Sequence, residues 1–256
     1  MRIAVLGLGE AGSIYARGLA ERGADVVGFD PRSVDSPAGV IRSASIGDAV
    51  EGADLVLSLV GARVAGDVLN QALPRMRPEA AFADFNTGAP EQKRVLATAA
   101  VVAGIPFADV AVMAPVPRAG VDTELLASGD GAETTSDALA SYGLPIRVVG
   151  HDAGDAAGLK LVRSVFMKGL AGLVFETLDA AGKIGGTTEM RRQIASELSG
   201  DGDAMVQRLL DGTRQHAERR EHEMADAREF LAAIDSPTWM TDGTLAWLRS
   251  VREGSS

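Results

Sequence analysis

The first 150 residues alternate between short apolar runs and segments whose apolar positions have helical spacing. The apolar runs end at glycine, proline or polar residues, as buried strands of a parallel sheet do. Helical segments of about ten residues separate most of them, which predicts a parallel sheet with helices on both faces. The predicted strands lie at residues 2–8, 24–30, 54–60, 80–85, 105–113, 125–129 and 145–150.

The pattern changes after Gly150, because every long segment from Asp155 onward has the spacing of a helix. Within this part, the segment 158–176 is largely apolar but contains two lysines and an arginine, which predicts a buried helix whose cations are paired or used. The chain therefore divides into an α/β domain, residues 1–152, and an all-helical domain, residues 153–256. The predicted helices of the second domain lie at residues 155–182, 187–199, 203–234 and 241–252.

Composition narrows the possible functions. Hydrophobic residues make up 46% of the chain and charged residues 23%, which is typical of a globular protein. The net charge is −10 and both domains are acidic, so no nucleic-acid surface is predicted. No apolar stretch approaches the ~20 residues that cross a membrane. The first residues lack the cleavage site of a signal peptide, and we expect a cytoplasmic protein.

Cysteine and histidine usage bears on metal sites. The chain has no cysteine, which excludes disulfides, thiolate metal ligands and cysteine nucleophiles. His216 and His222 lie six positions apart in a predicted helix, so they do not share a face of it. We therefore predict no metal site.

A glycine motif lies between the first predicted strand and the first predicted helix. The pattern is G-x-G-x-x-G, in which the first glycine permits a tight turn, the second lets the backbone approach a pyrophosphate, and the third lets helix and strand pack closely. The start of the helix adds N–H donors and a positive dipole. The motif therefore predicts a dinucleotide site at Gly7, Leu8, Gly9, Glu10, Ala11 and Gly12.

The choice between NAD and NADP depends on two residues after the second strand. Asp30 ends that strand, where a carboxylate can accept hydrogen bonds from the adenosine ribose and repels a 2′-phosphate. Arg32 follows it and could pair with such a phosphate. Asp30 favours NAD, and Arg32 keeps NADP open.

The chain resembles the β-hydroxyacid dehydrogenases, the relatives of 3-hydroxyisobutyrate and 6-phosphogluconate dehydrogenases. The resemblance begins with GLGEAGSIYARGLAERGADVVGFD at 7–30 and continues in DFNTGAP at 84–90. ADVAVMAPVPRAG at 108–120 stands where the family has Asp-x-Pro-Val-Ser-Gly-Gly, and HDAGDAAGLKLVRS at 151–164 stands at the Gly-x-x-Gly-x-Gly-x-x-x-Lys-x-x-x-Asn signature. The segments VMAPVP and KLVRSVFMKG resemble the corresponding segments of a divergent branch of this family, which has a phosphogluconate-dehydrogenase-like C-terminal domain.

This resemblance implies an α/β Rossmann domain and an all-α domain joined by a long interdomain helix, and a homodimer. It implies hydride transfer between a nicotinamide and a hydroxyl or carbonyl group of a small substrate. Lys160 matches the signature lysine, the family's general acid/base, and Ser164 replaces the asparagine. Lys160, Ser164 and Lys168 recur every fourth residue and share a helical face.

Further candidates follow from position. Residues after parallel strands lie at the carboxyl edge of the sheet, where ligands bind. The predicted cofactor contacts there are Ser58, Leu59, Val60, Asn86 and Thr87. The predicted substrate contacts are Met113, Ala114, Pro115, Arg163 and Lys168.

Two alternatives to a CH–OH dehydrogenase stay open. The altered Ser-Gly-Gly segment and Ser164 make imine reduction on the same scaffold plausible, because a protonated imine needs less general-acid help. A non-catalytic dinucleotide-binding protein would keep the glycine motif and Asp30 without a lysine constellation. A methyltransferase also places an acidic residue after its second strand, but the full glycine motif and the helical second half disfavour it.

Overall fold

The computed structural model describes residues 1–32 and 35–254. Its first part contains one eight-stranded sheet in the order β3-β2-β1-β4-β5-β6-β7-β8. The first six positions of this order, 3-2-1-4-5-6, are those of a Rossmann sheet. The strands are β1 Arg2–Leu6, β2 Asp25–Phe29, β3 Val40–Arg42, β4 Leu55–Ser58, β5 Ala81–Asp84, β6 Phe107–Val112, β7 Leu125–Ser128 and β8 Ile146–Gly150.

Helices cover both faces of this sheet, so the apolar strands are buried from two sides. One face packs a core that includes Tyr15, Leu19 and Leu139, and the other packs Leu69, Phe82 and Phe107. The helices of this part are α1 Glu10–Glu21, α2 Ile46–Val50, α3 Ala65–Ala72, α4 Pro90–Val102, α5 Val116–Ala119 and α6 Ala132–Ala140.

The sheet departs from the prediction in two places. β3 was not predicted, because Val40–Arg42 is only three residues long and pairs at the sheet edge beside β2. β7 runs antiparallel to β6, although an all-parallel sheet was expected. The chain between them, which contains α5, returns without a full crossover helix, so β7 enters the sheet in the opposite direction.

The chain divides into two compact units, residues Met1–Arg163 and Ser164–Ser256, and the division falls inside α7, Asp155–Lys183. The boundary predicted after residue 152 marks the change from strands to helices and stays a prediction. Several apolar side chains of α7 are exposed, with exposed fractions of 75% at Val165 and 79% at Phe175, so the expectation of a buried helix is wrong for the single chain.

The second unit contains helices alone among its described residues. They are the later part of α7 with α8 Thr187–Leu198, α9 Gly202–Gln215, α10 Ala217–Ala233 and α11 Trp239–Gly254. The single helix predicted at 203–234 is wrong, because the chain leaves helical geometry at His216, whose φ is −128° and ψ is 27°. Within the described residues, no helix is both long and apolar enough to cross a membrane.

Candidate functional site

The glycine motif forms a tight turn between β1 and α1. Gly7 has a φ of +93°, which favours glycine, and its N–H donates to the carbonyl oxygen of Phe29 at 2.7 Å. A Cβ on Gly12 would lie 1.8 Å from the carbonyl oxygen of Gly7, so α1 can start this close to the turn only with glycine there. The turn and the close packing fit the residues of a dinucleotide loop.

The start of α1 can hold an anion. Gly9 precedes its first residue, Glu10, and the N–H groups of a first turn have no acceptor inside their helix. Leu8 is buried and Ala11 partly buried. A cavity of about 490 Å³ opens beside the loop and is lined by Gly7, Gly9, Asp30, Leu59 and Val60, among others.

Asp30 is buried, and both of its carboxylate oxygens are engaged. Oδ2 accepts hydrogen bonds from the Leu8 N–H at 2.9 Å and from Arg32 Nη2 at 3.1 Å. Oδ1 accepts from the Arg32 N–H at 2.9 Å and from Arg32 Nε at 3.1 Å. The Arg32 guanidinium therefore lowers the pKa of Asp30 to about 2, although burial alone would raise it. A ribose hydroxyl could reach this carboxylate only if the Arg32 side chain moved away.

A second arginine, which sequence analysis missed, lies beside this pair. Arg42 ends β3, and its Nη2 donates to the carbonyl oxygens of Asp30 at 2.8 Å and of Arg32 at 2.6 Å. The edge strand β3 brings it there through its pairing with β2, so the local sequence around Arg42 carries no signal for this position.

The ends of β4 and β5 are joined by side-chain hydrogen bonds. Ser58 is fully buried, and Asn86 Nδ2 donates to its Oγ at 3.0 Å. Asn86 Oδ1 accepts from the Gly61 N–H at 2.6 Å. Ser58 and Asn86 therefore bind each other, while Leu59 and Val60 line the cavity and Thr87 is exposed.

The Lys160 side chain contacts the segment that follows β5. Its Nζ donates to Thr87 Oγ1 at 3.0 Å, beside a small cavity that Asn86 and Ala111 also line. The pKa of Lys160 is lowered from the ordinary 10.5, first by burial and then by the charges of Lys93 and Arg163, whereas Asp109 opposes the shift. A lysine with a lowered pKa and a neutral partner can both release and accept a proton.

The start of α7 fixes Lys160 by binding side chains of two strands, Asp109 on β6 and Ser128 on β7. The Ala157 N–H donates to Asp109 Oδ2 at 2.9 Å, and the Gly154 N–H donates to the same oxygen at 3.2 Å. The Ala156 N–H donates to Ser128 Oγ at 3.0 Å. Lys160 is one turn further along this anchored helix.

A buried ion cluster behind Lys160 was missed from the sequence. Lys93 on α4 pairs with Asp84 at the end of β5 and with Asp109 on β6. The sequence does contain a signal for this cluster. Lys93, Leu96, Ala97 and Ala100 have the spacing i, i+3, i+4, i+7, which places the lysine on the inward-facing stripe of α4. A lysine on such a stripe requires a partner.

The remaining predicted residues are distributed over both units. Met113 packs partly against Ala111, Leu126 and Ala156, Ala114 is partly buried and Pro115 is exposed. Arg163 is the last residue of the first unit. Ser164, partly buried, and Lys168, exposed, belong to the second. Their predicted contacts with substrate stay predictions.

Family models match both parts of the chain. The NAD binding domain of 6-phosphogluconate dehydrogenase matches residues 2–150, and a domain of unknown function, DUF1932, matches residues 181–251. The chain is also 26% identical over 260 residues to an uncharacterized 28.5 kDa protein of Methanothermus fervidus, with 99% of this chain and 100% of that protein covered.

Solved structures share the fold over the whole chain. A conserved protein of unknown function, described as structurally similar to 3-hydroxyacid dehydrogenases, is 29% identical with a TM-score of 0.67, and 100% of both chains is covered. The V8 variant of an imine reductase from Myxococcus stipitatus, in complex with NAD⁺, has a TM-score of 0.84 at 17% identity, covering 99% of this chain and 94% of that one, which shows the fold alone. An imine reductase from the same organism, in complex with NADP⁺, has a TM-score of 0.81 at 17% identity, covering 99% of this chain and 95% of that one.

The fold prediction, a Rossmann domain followed by an all-helical part, is confirmed by these matches. The glycine loop, Asp30 and the 3-2-1-4-5-6 strand order lie inside the matched residues 2–150. The chain therefore belongs to the family that carries the NAD binding domain of 6-phosphogluconate dehydrogenase, as a divergent β-hydroxyacid dehydrogenase-like member.

Proposed function

We propose that the protein is an NAD(P)-dependent oxidoreductase that transfers hydride between a nicotinamide and a β-hydroxy acid or its carbonyl partner. The observation that carries the proposal is the contact between Lys160 Nζ and Thr87 Oγ1 at 3.0 Å. It lies at the carboxyl edge of the sheet whose first βα turn is the glycine loop, the edge at which ligands of open α/β sheets bind.

The residues around the glycine loop fit a dinucleotide. Gly7 and Gly12 leave no room for a side chain, and Gly9 precedes a helix start whose N–H groups suit a pyrophosphate. Asp30 or Arg32 would face the adenosine ribose, and Leu59 and Val60 would line the cavity wall. The bound dinucleotide supplies the hydride acceptor or donor.

Lys160 provides the proton transfer in this proposal. During oxidation, the C–H bond of the alcohol breaks as hydride leaves, and the hydroxyl proton passes to neutral Lys160 Nζ. During reduction, the Lys160 ammonium returns a proton to the carbonyl oxygen as hydride arrives. The lowered pKa of Lys160 suits both directions, because each protonation state becomes accessible closer to neutral pH. Asn86 and Thr87 are assigned to positioning of the reacting groups.

Cofactor choice follows from the pair at the end of β2. Asp30 stays ionised at ordinary pH because its pKa is about 2, and an ionised carboxylate there repels a 2′-phosphate. We therefore assign NAD as the preferred cofactor, with NADP the outcome if Arg32 leaves Asp30 to bind the phosphate.

The substrate is assigned to the class of β-hydroxy acids, with the carboxylate bound by Arg163 and the apolar part by Met113, Ala114 and Pro115. Imine reduction is the alternative activity on this scaffold. It differs in its dependence on Lys160, because a protonated imine arrives with its own proton.

We also assign a homodimer. The second unit, although it has only helices in its described part, exposes Phe175, Trp239 and Trp247 with exposed fractions of 79%, 80% and 73%. Large apolar side chains in such number on one small unit indicate a surface that a second copy covers.

The deciding experiment compares the unaltered chain with Lys160→Ala on a panel of β-hydroxy acids with NAD⁺ and NADP⁺. We expect kcat for alcohol oxidation to fall by about 10²–10⁴-fold, with nicotinamide binding, followed by fluorescence, retained. Arg94→Ala is the matched control, since Arg94 is an exposed cation of α4 paired with Glu91. A full oxidation rate in Lys160→Ala would refute the acid/base assignment, and retained imine reduction alone would favour the alternative.

A further inference from the structure

Lys93 is a fully buried lysine that the proposed reaction does not yet use. Its side chain is 2% exposed, and it lies on the apolar face of α4 between the helix and the sheet. A buried ammonium carries a large desolvation cost unless acceptors surround it.

Three oxygens surround the Lys93 ammonium. Nζ donates to the carbonyl oxygen of Asp84 at 2.9 Å and to Asp84 Oδ2 at 2.8 Å. Asp109 Oδ1 lies 3.0 Å from the same nitrogen. Both carboxylates are buried, with side-chain exposures of 1% and 0%. One cation therefore compensates two buried anions, and removing it would leave both without a partner charge.

The two oxygens of Asp109 have different roles. Oδ2 accepts the N–H groups of Gly154 and Ala157 at the start of α7. In residues 1–32 and 35–254, Oδ1 has no hydrogen-bond donor of good geometry, and the charge that faces it is that of Lys93. Lys93 thus holds the carboxylate that anchors the helix bearing Lys160.

The two oxygens of Asp84 are divided in a similar way. Oδ2 binds Lys93, while Oδ1 accepts from Asn86 Nδ2, the amide that also binds Ser58. Asn86 precedes Thr87, whose hydroxyl accepts the hydrogen bond of Lys160. Lys93 therefore fixes the position of Lys160 from two directions, through the start of α7 and through the end of β5.

The charged groups around Lys160 lie on four elements, α4, α7, β6 and β5. Lys93 on α4 and Arg163 on α7 oppose a positive charge on Lys160, and Asp109 on β6 favours it. Asp84 on β5 is paired with Lys93. Thr87, the hydrogen-bonding partner of Lys160, is neutral.

We propose that Lys93 is a positioning residue for Lys160, because it holds the two buried carboxylates that fix the start of α7 and the segment after β5 that bears Thr87. The role of Lys93 in catalysis rests on the proposed acid/base function of Lys160. The effect of the Lys93 charge on the protonation of Lys160 is present without cofactor or substrate, and it is tested in their absence.

The test measures the protonation of each lysine by competitive labelling with trace acetic anhydride across pH, followed by mass spectrometry of peptides. The chain has four lysines, Lys93, Lys160, Lys168 and Lys183, so each is resolved, and the last two serve as internal controls. Two variants remove the Lys93 charge: Lys93→Met, and Lys93→Met/Asp84→Asn, in which an isosteric change also removes one anion. In both we expect the pH at which half of Lys160 is protonated, its midpoint, to rise by at least about one pH unit. Lys93→Arg keeps the charge and should keep the midpoint.

Asp109→Asn distinguishes the electrostatic effect of the buried cluster on Lys160 from a general loosening of the fold. Asparagine keeps an acceptor for the Gly154 and Ala157 N–H groups. It removes one of the two carboxylates that oppose the Lys93 charge, and with it the anion that favours a charge on Lys160, so the pH midpoint of Lys160 protonation should fall. Loosening would expose Lys160 and raise its midpoint in every variant.

A Lys160 midpoint that is unchanged in a folded Lys93→Met/Asp84→Asn chain, or that rises in Asp109→Asn, overturns the proposal. Circular dichroism melts establish which variants are folded. If the unaltered chain oxidises no hydroxy acid in the panel, the proposed function fails, while the labelling result for Lys93 stands by itself.

Discussion

At the residue scale, Lys160 donates to a neutral hydroxyl, whereas Lys93 a short distance behind it is held by carboxylates. The two lysines therefore differ in what surrounds the ammonium. Burial and the nearby Lys93 and Arg163 charges lower the pKa of Lys160, which prepares it to exchange a proton.

The pH dependence of the reaction should report this lysine. In the proposed mechanism oxidation requires neutral Lys160, so kcat/KM for oxidation should rise with pH and level off above a pKa that is lower than 10.5, the ordinary lysine value. Reduction requires the ammonium and should lose rate as pH rises through the same pKa. Initial rates in both directions across pH check this prediction, and a profile with no lysine-like inflection below 10.5 would contradict it.

Arg32 offers a test of cofactor choice. Its guanidinium occupies both oxygens of Asp30, and Arg32→Ala would free them for ribose hydroxyls and remove a possible phosphate partner. We expect the ratio of the NADPH Kd to the NADH Kd to rise by about tenfold or more, as one lost charge-assisted contact implies. Fluorescence titration measures the ratio. Arg17→Ala, an exposed arginine near Glu21 on α1, should leave it unchanged.

The same arginine sets the acid sensitivity of Asp30. Because the folded pKa is depressed to about 2, the stabilisation from the Arg32 contacts is complete above the ordinary value of 3.8 and is lost as pH falls from there toward 2. Arg32→Ala should therefore reduce the loss of stability over that interval. Urea melts at a series of acidic pH values would measure it, and equal pH dependence in both chains would argue against the assignment.

At the scale of elements, the turn between β1 and α1 is set by backbone packing. Gly12→Ala would place a Cβ 1.8 Å from the Gly7 carbonyl oxygen, so α1 would have to move away from the turn. We expect a loss of about 3 kcal/mol in the free energy of unfolding and weaker NADH binding. Gly66→Ala on α3, whose Cβ would lie 3.8 Å from Leu96, is the matched control in urea melts.

The start of α11 depends on one side chain of α7. Glu176 is buried and accepts from the Met240 N–H at 2.7 Å, the Thr241 N–H at 2.9 Å and the Thr241 hydroxyl at 2.6 Å. Glu176→Ala would leave these donors unpaired, at a cost of about 2–3 kcal/mol. Thermal melts should show this loss, whereas Glu229→Ala, at an exposed position of α10, should change little.

At the scale of the whole molecule, the apolar surface of the second unit is the feature a single chain leaves unexplained. A groove in this unit is lined by Val174, Phe175, Leu178, Ile194 and Leu198. A single small unit with few fully buried side chains gains stability if a second copy covers such a surface.

Phe175→Asp tests the proposed homodimer. The substitution places a charge in the apolar groove, so the mass measured by light scattering after gel filtration should fall from twice the chain mass of 26.5 kDa to that of one chain. Gln215→Asp, which adds the same charge at an exposed position of α9, should leave the dimer intact. A monomeric unaltered chain would contradict the assignment directly.

The sequence by itself determined the local features of this protein. The glycine motif, Asp30 and the apolar runs that end at the sheet edge depend on short-range rules of turn geometry and burial, and they led to the Rossmann fold that the comparisons confirm. The register of the signature segment likewise pointed to Lys160.

Tertiary structure decided what depends on contacts between distant residues. The direction of β7 and the position of Arg42 follow from how strands pair in the sheet, which local spacing does not encode. Lys93 shows the reason most clearly. Its partners Asp84 and Asp109 are brought together by the pairing of β5 with β6, so a lysine on the apolar stripe of α4 becomes the cation of a buried ion cluster behind Lys160.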